Sequence, residues 1–118
     1  MKVVSKERLE QNCDRLVLKT IEDVLINVFG AKTFEKMVRV MEENFSINWD
    51  EIPHKSEVFS RALKEMLGVG SIIIEDLIIE ILYINFGLEL RWKKGFTFSD
   101  YINELYLMRK TVEQVKDS

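Results

Sequence analysis

The sequence predicts an all-α domain, and three observations carry that prediction. Apolar residues recur at three- and four-residue steps along most of the chain. Only five of the 118 residues are glycine and one is proline, so turn formers are scarce. The 47% hydrophobic and 31% charged fractions are globular values, with the apolar share needed for a core. A chain of this length builds one ordinary domain, and residues 1–118 are read as five main helices around a central apolar one. A short β-hairpin near residues 88–98 is the expected departure from helix.

From Leu9, the residues Cys13, Leu16, Val17, Ile21, Val24, Leu25 and Val28 form one apolar stripe, a long amphipathic helix that Gly30 ends. Thr33 is the expected cap of a second helix, with Phe34, Met37, Val38, Met41 and Phe45 on one face. The only proline, Pro53, keeps Ile52 out of helical geometry and breaks the chain before a third helix. Trp49 and Ile52 are expected to fold back onto the core. The third helix turns Val58, Phe59, Ala62, Leu63, Met66 and Leu67 inward and stops before Gly68.

The next stretch, GSIIIEDLIIEILYINFG, packs eleven aliphatic or aromatic side chains between Gly70 and Gly87. Ser71 is the expected cap, and the helix from Ser71 to Phe86 has 16 residues. That is short of the roughly 20 a membrane span needs, and Glu75, Asp76 and Glu80 would each be costly in lipid. The stretch reads as the central helix, its three carboxylates forming a limited wet stripe. After Gly87 the alternation of Leu88, Leu90 and Trp92 with Glu89 and Arg91 suggests a strand that turns at Lys93–Gly95. Ser99 then caps a last helix with Phe98 just ahead of it, whose Tyr101, Leu105, Met108, Val112 and Val115 keep the a/d rhythm of a coiled-coil seam.

Chemistry is constrained mainly by what the sequence lacks. One histidine, His54, and one cysteine, Cys13, cannot supply a zinc site, and Cys13 lies on the apolar face of the first helix, where a buried, inert thiol is expected. No phosphate-binding loop, dinucleotide fingerprint or nucleophile elbow is present, and the Glu-x-x-His pairs of a di-iron bundle are missing. No catalytic residue, metal ligand or cofactor site is assigned, and no cofactor is expected. A single cysteine makes no internal disulfide, and the start of the sequence lacks a signal-peptide pattern, so the expected location is cytoplasmic.

The order helix, turn, helix, hairpin also invites comparison with a winged helix, with Arg91, Lys93 and Lys94 as a basic patch on the wing. The would-be recognition helix, however, carries three carboxylates and no Lys or Arg, and the net charge is −3, so nucleic acid is a disfavoured partner. The favoured reading is a non-catalytic protein-interaction or signalling-output module. Its expected interface is the last helix, through Leu105, Met108, Val112 and Val115, in a homodimer or against another protein.

Residues 52–83, IPHKSEVFSRALKEMLGVGSIIIEDLIIEILY, combine an Ile-Pro step, a helix ending at Leu67-Gly68, Gly70 and a strongly apolar helix. In these features the segment resembles the archaeal Nitrosopumilus output domain family. The resemblance covers the middle third of the chain and implies a small archaeal protein or terminal domain acting as the output of a sensory protein. It brings no catalytic residue with it.

Overall fold

The computed structural model describes the backbone of residues 6–117 and the side chains of residues 7–109. Five α-helices follow one another: α1 (Lys6–Phe29), α2 (Ala31–Phe45), α3 (Ser56–Leu67), α4 (Ser71–Phe86) and α5 (Phe98–Asp117). Two 3-10 turns, Trp49–His54 and Gly68–Gly70, flank α3.

The stripe of α1 buries Cys13, Val17, Ile21, Val24 and Leu25, as its spacing requires. The helix α2 starts two residues before the expected cap: Phe34 N–H bonds the Gly30 carbonyl, so Gly30 and not Thr33 opens it. Met37 and Met41 are its buried contribution. The chain then folds back as expected, with Ile47 and Ile52 buried and the Trp49 ring meeting Phe34 edge-on, centroids 5.0 Å apart. Asn48 and Glu51 cap this turn reciprocally, which fixes where Pro53 and His54 emerge.

In α3, Phe59, Ala62 and Leu63 are fully buried. Helices α1, α3 and α5 all pack on α4, which buries Ile74, Ile78, Ile79, Leu82, Tyr83 and Phe86. Polar contacts fix its rotation. Asn85 donates to Thr20 of α1 at 3.0 Å, Ser60 of α3 donates to Glu75, and the Tyr83 hydroxyl lies 3.1 Å from the Tyr101 carbonyl and 3.0 Å from Glu104 of α5. Burial, followed by the Glu104 carboxylate, pushes the Tyr83 phenol well above its ordinary range. Ser71 is not a cap but the buried first residue of α4, because the 3-10 turn carries helical backbone straight through Gly70.

The hairpin expected at 88–98 is absent: no strand occurs among the described residues. Leu88 and Leu90 do lean on the core, as the alternation implied. But α5 already begins at Phe98, leaving almost nothing of a second strand. A four-residue turn closes with Phe96 N–H on the Lys93 carbonyl, with Gly95 at φ 85° in the position that a type II turn reserves for glycine. Lys93 N–H finds its acceptor in the Tyr101 hydroxyl at 2.7 Å instead of a neighbouring strand. The cap of α5 is Thr97, not Ser99: Thr97 N–H bonds Asp100, and Asp100 N–H bonds the Thr97 hydroxyl.

Candidate functional site

The first candidate is a groove of about 680 Å³ lined by Glu10, Pro53, His54, Ser56, Asn103 and Tyr106, among others. Two of these residues meet at Asp14 of α1, which receives hydrogen bonds from His54 Nε2 at 2.8 Å and from the Tyr106 hydroxyl of α5. His54 Nδ1 lies 4.0 Å from Glu10. Nε2 is thus held by Asp14, while Nδ1, on a half-exposed ring, lies near Glu10 beyond hydrogen-bond distance. Burial, then the Asp14 contact, drives the Tyr106 phenol far above its ordinary range, so it stays protonated as a donor to Asp14. Ser56 and Ser99, both buried, bond each other at 2.8 Å. The cluster fastens three elements together. No group of three or more His, Cys, Asp or Glu that could hold a metal ion occurs among the described residues, and Cys13 is buried in the core.

The second candidate is the basic patch. Arg91 lies 3.5 Å from Glu89 on the open surface, and Lys93 bonds Glu104 while its ammonium sits 4.8 Å from the centre of the Phe96 ring. Lys94 is exposed. Two of the three cations are partnered by carboxylates on the same surface, which leaves little net field for phosphate.

The third is the exposed face of α4. Ile73, 71% exposed, and Ile84, 73% exposed, stand on one stripe with half-buried Leu77 and exposed Glu80, at steps of four, three and four. Asp76 borders the stripe and Val69, 90% exposed, stands beyond its N-terminal end, with Ile72 60% exposed nearby. Of the three carboxylates expected to form one wet stripe, only Asp76 and Glu80 face water. Glu75 is half-buried against Ser60, and that burial raises its pKa.

No protein family, curated protein or solved structure matches the chain.

Of the interface residues expected on α5, Leu105 is fully buried in the chain's own core and has no surface to offer a second chain. Met108 is partly buried against that same core. The side chains of Val112 and Val115 lie outside the described residues. Sequence periodicity alone missed the α4 face, because a helix apolar all round gives no signal of which side its neighbours leave open. The pairing of Asp14 with His54 and Tyr106 was equally silent, since it joins residues from three elements.

Proposed function

We propose that the chain is a non-catalytic protein-interaction module that works through the open face of α4. The observation behind this reading is the exposure of Ile73 and Ile84 on one helical stripe, with Ile72 and Val69 beside it. Single exposed aliphatics are ordinary on a protein surface, but several aligned at heptad-like steps on the most apolar helix of the chain form a surface that gains free energy when another helix covers it. The mutual neutralisation of the loop charges adds support. The resemblance of residues 52–83 to sensory output domains fits the same reading, in which the module passes a signal by docking. Nucleic acid is disfavoured because α4, which follows α3 as a recognition helix would, turns Asp76 and Glu80 outward.

A photo-activatable crosslinker at position 73, with position 36 on the polar face of α2 as control, tests the reading in extract of the native cell. Crosslinks to discrete protein species from position 73 alone are expected. Equal labelling from both positions, or none from either, refutes it.

A further inference from the structure

Resting on that interaction reading, we infer that the occupant of the α4 face is a helix of a different protein, apolar along one side and carrying a Lys or Arg that meets Glu80. The argument is one of charge and spacing. Ile73, Leu77, Glu80 and Ile84 follow the four-three-four rhythm of a knobs-into-holes seam, so the shape that covers them best is another helix. The stripe rises about 17 Å from Ile73 to Ile84, which sets the partner segment at roughly three turns.

Within this seam one position is a carboxylate. Glu80 is exposed, Asp76 borders the same stripe, and the chain has no Lys, Arg or His between Glu65 and Leu90. A covering helix must therefore bring the countercharge itself, because a carboxylate covered without a partner is strongly unfavourable. A second copy using the same face cannot bring it. Parallel two-fold pairing sets Glu80 against its own equivalent. Antiparallel pairing centred on the stripe places Glu80 opposite Leu77 of the other copy and beside its Asp76. Both arrangements gather carboxylates with no cation from α4, and like charges brought together in this way select against the pairing. The same two carboxylates repel the phosphates of nucleic acid and of anionic lipid. A basic, apolar-faced helix satisfies every feature of the surface at once.

The test uses the intact chain and fluorescent 18-residue helical peptides, stapled on their outer face, with leucines at seam spacing and Lys, Glu or Ser at the central seam position. Fluorescence anisotropy should show saturable binding of the Lys peptide and binding at least about tenfold weaker for the Glu peptide. The variant Glu80→Lys should reverse that order. Equal affinities, failure of the reversal, or no binding of any peptide overturns the inference. Analytical ultracentrifugation of the intact chain and of an Ile73→Ser, Ile84→Ser variant separates this failure from that of the broader reading. A dimer abolished by the two substitutions makes a second copy the occupant, overturning the inference while the interaction module stands. A monomer that also yields no crosslink from position 73 removes both. Flotation with anionic phosphatidylserine vesicles that depends on Ile73 and Ile84 likewise overturns the inference in favour of a lipid surface.

Discussion

His54 and Asp14, forty residues apart in sequence, meet with Nε2 2.8 Å from Oδ2, and the same carboxylate accepts the Tyr106 hydroxyl. Asp14 thus ties the turn before α3 and the body of α5 to α1. The two donors differ in burial, and that difference decides their energies. Tyr106 is partly buried, whereas half of the His54 side chain is exposed. Asp14→Ala leaves the phenol without its acceptor and should cost about 1–3 kcal/mol, while His54→Ala should cost less than about 1 kcal/mol. Urea unfolding of both variants checks the ranking, and equal small losses would show that the three-element tie contributes nothing.

Glu75 gives a pH dependence of definite sign. Its burial beside α3 raises its pKa above the ordinary 4.5; the Ser60 hydrogen bond opposes the shift, Asp76 adds to it, and Lys64 opposes it. A carboxyl with a raised pKa binds its proton more tightly in the folded than in the unfolded chain. Its contribution therefore favours folding fully below the ordinary value and is lost as pH rises through the raised one. Glu75→Gln keeps an oxygen for Ser60 and removes the charge. It should melt higher than the wild type at pH 7, with the gap closing as pH falls through the raised pKa and gone below 4.5. A gap independent of pH, followed by circular dichroism, would assign the effect to something other than this ionisation.

The two sides of α4 should respond oppositely to substitution. Ile78 is fully buried and Ile73 is largely exposed, only five residues away. Ile78→Ala should cost about 2–5 kcal/mol through lost burial and the cavity left behind. Ile73→Ser should change stability by no more than about 0.5 kcal/mol. Chemical denaturation of the two variants measures this directly, and similar losses would mean that the Ile73 face is packed.

These contrasts explain how much of the fold the sequence disclosed. Cys13, Val17 and Ile21 of α1, and Phe59, Ala62 and Leu63 of α3, were legible because polar residues separate them at helical period, so the buried side is written twice, once in each class. On α4, Ile72, Ile73, Ile74, Ile78 and Ile79 are chemically alike, and only the neighbours decide that three are buried and two exposed. The missing hairpin has a comparable cause. The alternation of Leu88 and Leu90 marked a surface leaning on the core correctly, but a strand also needs a backbone partner, and the Tyr101 hydroxyl took that role. The groove cluster was out of reach because Glu10, Asp14, His54 and Tyr106 converge only after α1, the Pro53 turn and α5 have packed.

The end of α4 depends on backbone chirality. Gly87 at φ 68° lets its N–H reach the Ile84 carbonyl at 3.0 Å and that of Leu88 reach Tyr83 at 2.9 Å, the paired bonds of a Schellman cap. A β-carbon added there would meet no atom within 4 Å, so Gly87→Ala isolates the conformational cost from any clash. Equilibrium unfolding should register a loss of about 1–2 kcal/mol. No loss would mean that the chain leaves α4 by another route.

The Tyr101 hydroxyl should hold the loop that replaces the expected hairpin. It accepts Lys93 N–H at 2.7 Å and lies 3.3 Å from the carbonyl of the same residue, while the Tyr101 ring is packed by Trp92 and Phe96 with centroids 5.4 and 5.0 Å away. Tyr101→Phe keeps the ring and removes only the oxygen, so the aromatic contacts stay and the Lys93 N–H loses its acceptor, while the Lys93 carbonyl keeps the Phe96 N–H. A global loss of about 1 kcal/mol is expected, the usual net value of one such bond. The local effect should be larger in kind: hydrogen exchange of the Lys93 amide should accelerate more than that of Phe59 or Leu63, whose protection depends on the core. Uniform acceleration across all three residues would place Tyr101 in the core's general stability. Unchanged exchange at Lys93 would show that the turn from Lys93 to Phe96 holds the loop without it.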